Sequence, residues 1–241
     1  CVAEGEDGVI HGIQSGEVIV EILLEIEEGE HSHVAIRNAL SKYQFLPKQD
    51  RAFITRVCEG TLEYRIQIDY IINSFSKVTV DKMKPAIREI LRSAVYQLKY
   101  MDSVPDSAVC NEAVKLAQRK GFYNLKPFVN GVLRTIAREM DQVRFPQKED
   151  DLLKYLSVKY SMPEVLVTRW LEAYGEETTE KILADFLMEH PLTIRCRTYL
   201  NSKEEVIKSL ESQGVHVAPA PYLPYAYSIS EFNHILALDA F

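Results

Sequence analysis

Apolar residues recur at helical spacing through most of the first 145 positions. Val18, Ile22, Leu23 and Ile26 mark one buried face over residues 17–27, and Val34, Ile36, Ala39 and Leu40 mark another over 34–43. Pro47-Lys48-Gln49-Asp50 opens a longer helix carrying Phe53, Ile54, Val57, Leu62 and Tyr64, with Gln49 or Asp50 near its N-cap. Ile68, Ile71 and Ile72 predict a further helix over 66–74. Pro85, tolerated in a first helical turn, leads Ile87, Ile90, Leu91, Ala94, Val95 and Leu98. Helices over 107–120 and 126–141 complete an all-helical first half. Residues 1–16 are acidic and aperiodic, and are expected to form a disordered or loosely packed leader.

The stretch FVNGVLRTIAR, residues 128–138, breaks a local rule. Asn130-Gly131 is a turn dipeptide, yet Phe128, Val129, Val132, Leu133 and Ile136 keep one helical face. A Gly inside a helix costs about 1 kcal/mol relative to Ala, so a close approach by a neighbouring helix is the expected compensation at Gly131. Asn130, Arg134 and Arg138 fall at i, i+4 and i+8 and form one polar ridge.

The pattern restarts after Arg144-Phe145-Pro146. Residues 150–190 read as two or three short helices, with Pro163 at a helix start. Leu192 to Thr198 then alternates as a half-buried strand does. Ser202-Lys203-Glu204-Glu205 is a capping box ahead of Val206, Ile207 and Leu210, and Gly214 ends that helix. Val215-His216-Val217 resumes as strand, giving β-α-β. One more strand over 225–229 and a short helix close the chain. The fold class is mainly α, an all-helical bundle followed by a smaller helical plus α/β unit.

Charge sharpens this outline. Residues 1–41 carry one Arg against nine acidic residues, whereas residues 42–144 carry eighteen Lys and Arg against eleven Asp and Glu. Acids again exceed bases beyond 144. A polyanionic partner therefore belongs with the middle segment, although a pI near 5.5 excludes a uniformly basic binder. Cys1, Cys58, Cys110 and Cys196 lie far apart with no C-x-x-C, which predicts reduced thiols, a cytoplasmic protein and no metal site. No apolar run is long enough for a membrane span. No Walker loop, dinucleotide fingerprint or activated-serine motif is visible, so the residues themselves point to no catalytic site. Both ends read as cut, which predicts a fragment.

Three blocks carry a resemblance. LPKQDRAFITRVCEGTLEYR, IREILRSAVYQLKYMDSVPDSAVCNEAVKLAQ and FVNGVLRTIAR resemble a NusB-type RNA-binding domain, in that family's order over residues 46–138. LSVKYSMPEVLVTRWLEAYGEE, PLTIR and SKEEVIKSLESQGVHV extend it, over residues 17–241, to the N-terminal region of ribosomal RNA small-subunit methyltransferase B. The resemblance implies a NusB-like domain over 17–145 and a linker domain over 146–241, with a methyltransferase domain to follow. It implies small-subunit rRNA and the protein's own catalytic domain as partners. It also implies S-adenosylmethionine as cofactor of that further domain, for methylation of cytosine carbon 5. Ser15-Gly16-Glu17 stands where the family usually has an Arg, and Arg197 where it usually has Asn. No cysteine here follows Pro or Thr as the family's catalytic pair does.

Candidate RNA contacts follow from the basic stripes. Arg134 and Arg138 suit phosphate, because planar guanidinium donors two turns along one ridge match its oxygens. Asn130 either braces the backbone or faces RNA. Lys115, Arg119 and Lys120 form a second stripe, joined by Lys126, and Arg88, Arg92 and Arg51 complete the set. Solvated faces and ion pairs are the competing readings of each. Tyr96, Tyr100 and Trp170 are expected in packing. A stand-alone NusB-type antitermination factor is the alternative function.

Overall fold

The computed structural model describes residues 4–241 except 189, 198, 233, 234, 236, 237, 240 and 241, with side chains from Ser15 onward. It divides into two compact units, 1–184 and 185–241.

The first unit is a helical bundle: α1 (Glu4–Glu27), α2 (Ser32–Lys42), α3 (Lys48–Glu63), α4 (Arg65–Phe75), α5 (Pro85–Tyr100), α6 (Asp106–Arg119) and α7 (Lys126–Glu139). The apolar stripes converge on one core in which Ile19, Ile22, Leu23, Ile54, Ile68, Ile71, Ile72, Ile90, Leu91, Leu133 and Ile136 are almost fully buried. Each such side chain stabilises the fold by about 1.5–3 kcal/mol. Helix α5 is central, packing against α1, α3, α4, α6 and α7.

Three local expectations change. The backbone is helical from Glu4, so Ser15 and Gly16 lie inside α1; Ser15 is buried, and a Cβ on Gly16 would stand 3.1 Å from Leu116 Cδ1. Pro47, not Gln49 or Asp50, occupies the N-cap of α3; Asp50 sits in its first turn, with a buried Oδ2 that has no hydrogen-bond partner among the described residues. Gly131 has no atom of the described residues within 4 Å of an added Cβ, so no described helix approaches it. The close approach is at Gly60 instead, where a Cβ would overlap the ring of Tyr96. That ring stacks with Tyr100, which in turn stacks on Tyr64 at 4.2 Å between centroids.

Helices α8 (Leu152–Lys159) and α9 (Glu164–Phe186), the latter broken at Gly175 with φ +75°, follow the bundle. Asp151 caps α8 by accepting from the Lys154 amide at 2.9 Å. The side-chain amide of Gln67 donates to Val158 O and Lys159 O at 3.1 Å, and the Ile66 amide donates to Ser161 Oγ at 3.1 Å. These bonds place α8 with the bundle, so the compact unit runs past residue 145.

Glu180 ties α9 to its neighbours by accepting from Lys159 Nζ at 3.0 Å, Tyr160 Oη at 3.1 Å and Lys148 Nζ at 3.2 Å. The bond from Lys159, helped by those from Lys148 and Tyr160, holds its carboxyl down at about 2. A depressed carboxyl stabilises the fold above its ordinary value of 4.5 and loses that contribution as pH falls through the folded value. The thermal midpoint of the protein should therefore exceed that of Glu180→Gln at neutral pH, and the gap should close as pH falls from about 5 to about 2. A pH-independent gap would contradict it.

The second unit holds β1 (Leu192–Arg195), α10 (Lys203–Ser212), β2 (His216–Pro219) and β3 (Ala226–Ser230). The sheet order is β1-β3-β2, both pairings antiparallel, with Leu192 opposite Ile229 and Val217 opposite the same residue on the other side. The expected β-α-β is thus split, its two strands separated by β3. The Ser202–Glu205 capping box forms in both directions, and Gly214 follows the end of α10 at φ +79°. Leu210, Val215 and Ile229 form the core. The expected closing helix lies largely outside the described residues. Among the described residues no helix is long and apolar enough to cross a membrane.

Candidate RNA interface

Helices α6 and α7 lie side by side, and their outward residues carry most of the predicted contacts. Arg134 Nε donates to Asn130 Oδ1 at 3.0 Å along α7, while its Nη2 donates across to Asn111 Oδ1 on α6 at 3.3 Å. Both partners are neutral amides. The guanidinium is oriented by them and keeps its charge on an exposed residue. Lys126 repeats the arrangement, donating to Gln118 Oε1 at 2.9 Å. Lys115 is 47% exposed and stands 3.9 Å from Glu112 Oε2. Arg138, 71% exposed, holds the adjoining Glu139 at 2.6 Å, a surface pair of little energetic weight.

The other half of the α6 stripe is occupied. Arg119 pairs with Glu17 at 2.8 Å and Lys120 with Glu21 at 3.3 Å, so the acidic face of α1 lies against these cations. A phosphate would have to compete with both carboxylates.

Arg88 and Arg92 have structural partners instead. Arg92 grips Asp69 of α4 through two bonds of 2.7 and 2.6 Å and Glu89 through a third of 2.6 Å. Its side chain is 11% exposed, and Glu89 is buried. Arg88 binds Glu27 and the carbonyls of Val80 and Met83. Their i, i+4 spacing resembles that of Asn130 and Arg134, but Glu27 and Asp69, which claim them, come from other helices, and Glu89 of α5 itself also holds Arg92. Arg51 is half-buried in the first turn of α3, with its Nε enclosed and without a hydrogen-bond partner among the described residues.

Asn111 and Gln118 are the two participants that sequence reasoning missed. Each meets its cation across α6 and α7, 23 and 8 positions away, so no helical spacing links them. Cys58, Cys110 and Cys196 are buried, and burial pushes all three thiols up, as suits core residues.

An all-helical bundle with an amide-braced basic ridge, followed by a split β-α-β unit, defines a class of two-part protein. The NusB family profile matches residues 14–138, and the chain belongs to the NusB family. Residues 162–235 match the RsmF/B-like methyltransferase ferredoxin-like domain. Over 201 residues the chain is 31% identical to the probable ribosomal RNA small subunit methyltransferase B of Bacillus subtilis (strain 168), covering 83% of this chain and 44% of that protein. It is 42% identical over 85 residues to the transcription antitermination protein NusB of Acidothermus cellulolyticus, covering 35% of this chain and 59% of that one. The crystal structure of PH0851 shares the fold at a TM-score of 0.67 and 22% identity, covering 95% of this chain and 51% of that one. The chain spans less than half the length of the methyltransferase B relatives it matches.

Proposed function

We propose that this chain is the RNA-binding region of a ribosomal RNA (cytosine-C5) methyltransferase, and that it positions small-subunit rRNA for a catalytic domain outside residues 1–241. The observation that carries this reading is the continuous similarity to methyltransferase B through both the bundle and the ferredoxin-like unit. The loop after β1, residues 196–202, contains no glycine to let backbone approach a nucleotide. S-adenosylmethionine does not fit there, and on this reading its site belongs to the catalytic domain. The full protein would act in the cytoplasm, where the ribosomal RNA is.

The ridge formed by Lys115, Lys126, Asn130, Arg134 and Arg138 is the proposed RNA contact. With about four cations engaged, the log–log dependence of affinity on salt should have a slope of roughly −3 for single-stranded RNA. Arg134→Ala should weaken binding to all sequences alike and reduce that slope by about one. Fluorescence anisotropy with a labelled small-subunit rRNA fragment measures both. A slope near zero would reject the reading.

The antitermination reading is favoured by the 42% identity to NusB alone. It predicts that a small ribosomal protein raises RNA affinity cooperatively, whereas the methyltransferase reading predicts no such gain.

A further inference from the structure

A cavity of about 270 Å³ opens where α4, α5 and α8 meet residues 145–147, all within the first compact unit. That is close to the ~300 Å³ at which ligand pockets begin, room for one nucleotide rather than a peptide. Two lysines and two aromatic rings line it: Lys99, Lys159, Phe145 and Tyr155.

The two cations differ in what already satisfies them. Lys159 Nζ is taken up by Glu180 at 3.0 Å and by Tyr155 Oη at 2.6 Å. The amide of Gln67 is spent on the carbonyls of Val158 and Lys159, and that of Gln147 on Phe145 O at 2.9 Å. Lys99 is half-buried, and among the described residues its ammonium forms no salt bridge and no hydrogen bond. It lies over the rings of Tyr100 and Phe145, 5.5 Å from each centroid. Ring faces attract a cation but do not replace an anionic acceptor. Burial pushes the pKa of Lys99 down, and Asp141 opposes that from beyond salt-bridge distance. One positive charge in this pocket therefore lacks a close anion.

A single charge among aromatic walls matches a phosphodiester, which carries one negative charge and brings a flat base with it. A phosphomonoester, close to a dianion at neutral pH, would leave a charge unmatched. A carboxylate side chain has the right charge but no ring to offer. Phe145 is backed by Tyr70 at 5.7 Å between centroids, so it presents a supported surface. Resting on the RNA-binding reading above, we propose that this pocket holds one nucleotide of single-stranded RNA, its phosphate on Lys99 and its base against Phe145 and Tyr155. From Arg138, the last ridge residue, the chain reaches Phe145 in seven residues, a span of at most about 25 Å. A strand of ten nucleotides on the ridge is long enough to enter the pocket.

The test uses the full chain and a labelled ten-nucleotide single strand carrying 5-iodouracil, with binding followed by fluorescence anisotropy. Lys99→Gln should weaken binding about fivefold at about 0.1 M salt and reduce the log–log salt slope by about 0.7, one cation's share. Lys99→Arg should keep both close to the parent, because the charge is retained. Photocrosslinking should attach the strand to Phe145 or Tyr155. A slope that falls in Arg134→Ala but not in Lys99→Gln would overturn the pocket while leaving the RNA-binding reading intact. Equal losses in Lys99→Gln and Lys99→Arg, or crosslinks confined to other residues, would overturn it as well. Inorganic phosphate that competes as strongly as 5′-CMP would replace the nucleotide with a free anion. The absence of any salt-sensitive RNA binding would overturn both readings.

Discussion

Gly60→Ala should destabilise the bundle by about 3 kcal/mol, the upper part of the range for forcing extra atoms into a packed core. The added methyl would overlap Cζ, Cε2 and the hydroxyl of Tyr96. That ring is 6% exposed and is held in a tyrosine stack. It cannot swing clear without separating α3 from α5 or unstacking Tyr100. Gly131→Ala should have the opposite sign, stabilising by up to about 1 kcal/mol, because a Cβ there meets nothing and the alanine favours helix. Urea titration of the two variants against the parent checks the pair. Equal effects would mean that the packing of α3 on α5 is not as described.

Arg92→Ala should cost about 3–5 kcal/mol, the loss typical when one partner of a buried ion pair is removed. Its guanidinium satisfies Asp69 twice and Glu89 once, and Glu89 is 3% exposed. Burial already raises the Glu89 carboxyl against the pull of Arg92. Without Arg92 the charged form would stand nearly unopposed, so the variant should regain stability as pH is lowered and Glu89 takes up a proton. Adding Glu89→Gln to Arg92→Ala should restore part of the loss at neutral pH. A single-variant loss below about 1 kcal/mol would show that the network contributes little.

These two cases mark where the sequence was legible. Helix positions came through because their cues are local, as with Pro85 opening α5 and the Ser202–Glu205 box opening α10. Gly131 carried the visible anomaly, yet Gly60 carries the packing constraint, because the side chain that crowds it belongs to another helix. Arg88 and Arg134 looked alike for the same reason: Glu27, which claims one, and Asn111, which braces the other, are distant in the chain. Gln67 and Ile66 bond to the segment beyond residue 145, contacts between distant stretches that no local cue announces. In the second unit, alternation revealed the strands but not that β3 inserts between β1 and β2.

The pairing of Glu17 with Arg119 and of Glu21 with Lys120 has a consequence for how a salt titration counts charge. Tethered carboxylates act as permanent counterions that cannot diffuse away. Where RNA displaces them each phosphate contact is gained at the loss of an ion pair, and where it does not those cations never engage. In the first case the two ion pairs lost reduce the affinity that Arg119 and Lys120 can add, and in the second the slope does not count them. A chain rich in Lys and Arg at this surface then behaves toward polyanions as a smaller charge, and loose, sequence-blind association with any passing nucleic acid is kept weak.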